Sequence, residues 1–118
     1  MVERSDIFSF ARKAFGVAPE YPFAKYPNYA VLRHADNDRW FGLVMDVDRR
    51  RLGLDGEGIV DIIDIKCPPE KVDVLRGTGD FLPAYHMNKE HWLTVPLTGA
   101  VPLAEIQGLL RESFELTR

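Results

Sequence analysis

Two hydrophobic runs limit this chain more than anything else in its sequence. One is RWFGLVMDVD, Arg39–Asp48; the other is IVDIIDIKC, Ile59–Cys67. Both are rich in β-branched and aromatic residues, and near the end of the second Ile63, Ile65 and Cys67 alternate with Asp64 and Lys66. Alternation with a period of two belongs to strands, because successive side chains leave a pleated backbone on opposite sides. Between the runs lies the turn signal DGEG, Asp55–Gly58, and before them the polar ADND joins the first run to YAVLRH, Tyr29–His34. Two consecutive hairpins follow, and hairpins make an antiparallel sheet. In the second strand, parity puts Phe41, Leu43, Met45 and Val47 on one face as expected core, with Trp40, Gly42, Val44 and Asp46 on the other.

Helices bracket and interrupt this sheet. From Ser5 to Phe15 the residues Ile7, Phe8, Ala11, Ala14 and Phe15 form a stripe, Ser5 or Asp6 can accept backbone hydrogen bonds at the start, and Gly16 supplies a stop. Three prolines in the nine residues Pro19–Pro27 then forbid a regular helix and predict an extended connection pinned by its aromatics. Pro68 and Pro69 open a short helix through EKVDVLRG, with Val72 and Leu75 inward and Gly77 at its end. Phe81–Tyr85 and His91–Leu97 read as a last strand pair joined by HMNKE, with Pro96 marking an edge or a strand end. After Pro102, Leu103, Ile106, Leu110 and Phe114 recur at helical spacing beside Leu109 and Ser113. The expected fold is therefore α+β, a two-layer sandwich of an antiparallel sheet with helices packed on one face. The other face is expected to be open, with Trp40, Lys66, Trp92 and Thr94 projecting from it.

A chain of 118 residues is a usual length for one domain and one core, so residues 1–118 are read as a single domain. No run approaches the roughly 18–20 apolar residues of a membrane span, and MVERSDIFSFARK places charges where a signal peptide is apolar. With one cysteine, Cys67, and so no internal disulfide, the expectation is a cytoplasmic protein, monomeric and away from membranes. The net charge of −3 repels a polyanion overall, so contact with nucleic acid requires a local patch.

Chemistry-bearing residues concentrate in HMNKEHW, His86–Trp92. Nucleic-acid contact would use aromatic faces for stacking and cations for phosphates; Trp40, Lys66, Lys89, His91 and Trp92 suit it, and Arg49, Arg50 and Arg51 suit a hairpin wing. Against this, acidic Asp46, Asp48, Asp55 and Glu57 interleave with those arginines. A metal site would have to draw on His34, His86, His91 and Cys67; the His86/His91 spacing matches no zinc pattern, and histidines bonding the turn backbone are the simpler reading. No metal or other cofactor is expected. Cys67 precedes a helix start, where a thiolate is favoured, but it shares the parity of Ile63 and Ile65 and reads as a buried, inert thiol. No enzyme motif is present, and catalysis is not expected. A third possibility is a protein or small anionic ligand gripped by Tyr85, Asn88, Lys89 and Trp92, which sequence alone does not separate from nucleic acid.

The stretches IDIKCPPEKVDVLR, LPAYHMNKEHWLTVPL and VPLAEIQGLLRESFEL, with YPF after the first helix, resemble the MmcQ/YjbR family, whose fold is similar to that of the CyaY/frataxin-like group. The resemblance is strong over about half the chain and holds in outline over the rest. It implies a CyaY-like fold and DNA binding through a double-wing arrangement of sheet and hairpins, in a DNA-binding or regulatory accessory role. The residues it points to are Lys66, His86, Asn88, Lys89, His91 and Trp92, with Arg49–Arg51 as a second contact. Iron binding of the frataxin type needs an acidic ridge on the first helix, and this one offers only Glu3 and Asp6. That property is not carried over.

Overall fold

Helix α1 (Arg4–Phe15) starts where the Asp6 carboxylate accepts a hydrogen bond from the Glu3 N–H at 3.0 Å. It ends at Gly16, whose φ of 68° lies in the left-handed region that favours glycine. In the computed structural model, which describes residues 1–118, the extended segment that follows leads into β1 (Ala30–Arg33), β2 (Trp40–Asp48), a 3-10 turn at Arg49–Leu52 and β3 (Ile59–Lys66). Then come α2 (Pro69–Arg76), a two-residue β4 (Leu82–Pro83), β5 (Trp92–Pro96) and α3 (Leu103–Leu116). The five strands form one antiparallel sheet in the order β1-β2-β3-β5-β4. Strand β5 is thus an inner strand, and Pro96 stands at its last position, beyond the Leu82 and Pro83 pairings with β4.

All three helices pack on one face, as the two-layer reading requires. Ile7 and Ala11 of α1, Val72 of α2, and Ile106, Leu109 and Leu110 of α3 bury themselves against Leu32, Val44, Ile63, Ile65, Leu93 and Val95. On β2 the expected core set divides: Leu43, Met45 and Val47 lie on the helix-free face, Val44 lies under the helices, and Phe41 joins the helix-side core, away from the face on which simple parity placed it. The cause is a β-bulge: Leu32 pairs with Gly42 and Arg33 with Trp40, so Phe41 has no partner on β1 and the alternation slips by one residue. Its ring swings under the helices, edge-on to Phe15 at 5.5 Å and to Phe114 at 5.0 Å.

The bulge leaves backbone groups to be satisfied, and α3 satisfies them. Ser113, fully buried, donates its hydroxyl to the Phe41 carbonyl at 2.6 Å and accepts from the Lys66 N–H at 3.1 Å. The ladder that pairs Gly42 with Ile65 would next have paired Phe41 with Lys66, and the serine hydroxyl stands between them. A second polar tie closes the same end of the sheet, where buried His34 places Nε2 2.8 Å from Thr117 Oγ1 and 3.1 Å from the Phe114 carbonyl.

The helix-free face is not bare. Val31, Leu43, Met45, Val47, Val60 and Ile62 make a second apolar cluster there with Tyr29. Phe23, Leu52, Leu54, Tyr85 and Met87 from the loops lie over it. The proline-punctuated segment therefore does pin itself down, through Phe23 and Tyr29, while Tyr21 and Tyr26 stay half exposed.

Candidate functional site

What the loops leave uncovered on this face is a groove of about 360 Å³ lined by Phe23, Tyr26, Tyr29, Trp40, Met45 and His86, together with Leu43 and Met87. That is within the size of a small-ligand site, and the lining is almost wholly apolar and aromatic. Its shape follows from local structure. Trp40 is held at the start of β2 by edge contact with Phe23 at 6.0 Å, and Tyr26 stacks on Tyr29 at 4.6 Å with its outer side open to solvent. The opposite wall is the Tyr85–Lys89 loop. There the Asn88 side chain accepts from the Glu90 and His91 N–H groups at 2.8 and 3.2 Å, and its carbonyl accepts from the Trp92 N–H at 3.0 Å. His86 sits at φ 63°, a left-handed conformation uncommon for a non-glycine residue, with its ring 4.0 Å from that of Tyr85.

Beside the groove, and sharing Tyr26 and Tyr29 with it, a second depression is lined by Lys25, Tyr85 and Arg51 as well as Asp46 and Asp48. The Tyr85 hydroxyl lies next to the Arg51 guanidinium and raises its pKa further. Burial pushes the Tyr29 phenol up, with Tyr85 and Tyr26 adding to it, so its hydroxyl stays protonated and able to donate. Both acids are already engaged. Asp46 accepts from the Asn28 amide at 3.0 Å. The Arg50 side chain and N–H hold the Asp48 carboxyl well down, at about 2.

Under the same loop is an unusual carboxyl. Asp64 is fully buried between Leu43 on β2 and Thr94 on β5. Thr94 donates to its Oδ1 at 2.5 Å and accepts from the Tyr85 N–H at 2.8 Å, while Oδ2 has no hydrogen-bond partner. Desolvation raises its pKa to about 7, with Thr94 and then Lys89 acting the other way.

The predicted site residues scatter around this face and do not form one patch. Lys89 and His86 are exposed and line a depression with Arg51 and Tyr85. Lys66 is partly exposed and stands opposite Trp92 in the ladder. Trp92 itself is only 8% exposed, so its indole cannot stack on a base, and Asn88 is committed to bracing its turn. His91 is exposed, and its carbonyl accepts from the Cys67 N–H at 2.9 Å; neither His86 nor His91 uses a ring nitrogen to bond the turn backbone. The three arginines splay, because a 3-10 turn advances its residues around an axis. Arg49 turns toward Asp55 and Asp80, Arg50 pairs with Asp48 at 2.9 Å, and Arg51 reaches Tyr85. Together they make no basic wing. Cys67 is 1% exposed and burial pushes its thiol up to about 11, leaving it a poor nucleophile. No three His, Cys, Asp or Glu side chains converge, and no helix is long and apolar enough to cross a membrane.

Sequence reasoning missed Phe23, Tyr26 and Tyr29 as site residues. The available signal was four aromatics in a segment, Tyr21–Tyr29, that its prolines bar from a helix.

Comparison with known proteins adds ancestry to this geometry. The sequence model described as YjbR matches residues 12–116. The Bacillus subtilis protein YyaQ is 49% identical over 118 residues, the whole of both chains. Escherichia coli YjbR is 32% identical over 79 residues, 66% of this chain and 58% of that one. A crystal structure of a Pseudomonas syringae protein superposes with a TM-score of 0.95 at 45% identity, covering 99% of this chain and 100% of that one. A Deinococcus radiodurans protein with a DUF419 domain gives 0.75 at 27% identity, over 98% and 78%.

Proposed function

Because this chain belongs to the YjbR family, we propose that it is a cytoplasmic, monomeric DNA-binding accessory protein without a catalytic role, and that it engages DNA through the groove-bearing, helix-free face. The observation that carries this reading is the company the groove keeps. Lys25, Arg51 and Lys89 line the depressions that adjoin it, and none of them forms an ion pair. In the adjoining depression Asp48 is paired with Arg50, and Lys25 and Arg51 outnumber the remaining acid, Asp46, so the overall charge of −3 does not describe this surface. Open aromatic faces beside unpaired cations suit an unpaired strand, since a base must leave its stack before it can lie on a tyrosine or tryptophan. Each such stack contributes roughly 1–3 kcal/mol.

Fluorescence anisotropy with labelled single-stranded and duplex DNA at two salt concentrations tests this. Micromolar binding, tighter for the single strand and steeply weakened by salt, is expected. Lys66→Gln with Lys89→Gln should flatten the salt slope by about 0.7 per phosphate contact removed. Absence of binding to both forms at low salt would sink the reading. A second reading, a module for a small anionic ligand or protein loop, is favoured by the concavity of the groove and predicts binding with little dependence on strand length.

A further inference from the structure

The aromatic groove and the tyrosine-arginine cluster beside it share two residues, Tyr26 and Tyr29. One compartment offers flat apolar walls: Trp40 and Phe23 at one end, the open side of Tyr26 at the other, and Met45 beneath. Its neighbour offers an unpaired guanidinium with the hydroxyls of Tyr29 and Tyr85 beside it. We infer that the two compartments are halves of one site for a single nucleotide unit, the base lying in the groove and the phosphate meeting Arg51 and the tyrosine hydroxyls. This deepens the DNA-binding reading and rests on it for the face involved, but it makes a separate claim, that one nucleotide suffices.

Charge and shape favour this occupant over others. A purely apolar ligand would close over the Arg51 charge without supplying the anionic partner it lacks, which is unfavourable. A bare anion would leave the aromatic walls unused. A planar ring bearing an anionic group satisfies both, with a charge-assisted hydrogen bond from Arg51 that a guanidinium delivers to phosphate with fixed geometry. Of the acids nearby, Asp48 is neutralised by its ion pair with Arg50, while Asp46, bonded to the neutral Asn28 amide, keeps its charge, which Lys25 and Arg51 in the same depression offset. The same chemistry is offered by a free mononucleotide and by one residue of an unpaired strand.

Titration of the whole chain with thymidine monophosphate, with thymidine, and with a labelled oligothymidylate, followed by amide chemical shifts and anisotropy, separates the possibilities. The nucleotide is expected to bind with Kd near or below about 1 mM and the nucleoside at least tenfold more weakly, the difference arising at Arg51. Arg51→Gln, at an exposed turn position in no ion pair, should erase most of that difference. Trp40→Leu should weaken nucleotide and nucleoside alike, and Arg76→Gln on α2 should change nothing. Equal affinity for nucleotide and nucleoside, or an Arg51→Gln protein indistinguishable from the parent, overturns the site. Oligonucleotide binding without any mononucleotide binding also overturns it while leaving the DNA reading in place. The reverse pattern upholds the site and overturns DNA as its ligand, and failure of all three probes ends both.

Discussion

Between pH 5 and pH 8 the stability of this protein is expected to fall by on the order of 2–3 kcal/mol through a single carboxyl, and the Asp64→Asn variant should not show that fall. In the unfolded chain Asp64 titrates near 3.8; in the folded protein its burial raises the pKa to about 7. Between those values the folded state holds a proton that the unfolded state has released. Raising the pH through that window therefore favours unfolding, and the loss levels off above about pH 7. Asparagine reproduces the protonated acid, with an oxygen to accept from Thr94 and an NH2 in place of the acid O–H. Urea unfolding at several pH values measures the effect: the two proteins should be close at pH 5, with the variant more stable at pH 8. Parallel curves would mean that Asp64 stays ionised throughout. The consequence reaches the groove, because Thr94 ties this carboxyl to the Tyr85 N–H at the start of the loop that forms one wall.

Ser113→Ala is expected to lower the unfolding free energy by roughly 2–4 kcal/mol, although it removes one oxygen atom. The hydroxyl serves two backbone groups at once, the Phe41 carbonyl and the Lys66 N–H, in a position with no solvent access. Losing it strands both. An ordinary surface serine lost from a helix would be neutral or slightly stabilising on helix propensity alone, so the sign distinguishes the two cases. Chemical denaturation with an unchanged m-value would show the loss; a change within about 0.5 kcal/mol would mean that the two backbone groups find other partners.

Particular residues show how far the sequence reaches into this fold. Ile63, Ile65 and Cys67 lie under the helices and Asp64 and Lys66 on the other side, as their alternation requires. The helices end where Gly16 and Gly77 stand, and α3 buries Ile106, Leu109 and Leu110. Phe41 escaped the same reasoning, because an inserted bulge residue leaves no mark in a local pattern and shifts parity on one side of itself. Trp92 was expected at a binding surface and is buried, because what lies over a strand residue depends on tertiary packing that a periodicity does not specify. The candidate site suffered most. Its walls come from residues 23–29, 40–45, 51 and 85–87, segments that only the sheet brings together.

The sequence by itself determined the elements, the hairpins, the antiparallel sheet and, on β3 and β5, the side that meets the helices, because spacing within a segment and turn residues between segments are local properties of a chain. Tertiary structure alone decided which side of β2 carries Phe41, that the helix-free face is clothed, and that Arg51 parts from Arg49 and Arg50 to meet Tyr85. It also left Asp64 in a place where its charge is costly. Those outcomes depend on contacts between residues far apart in the chain, where burial and the satisfaction of backbone hydrogen bonds outweigh local preference.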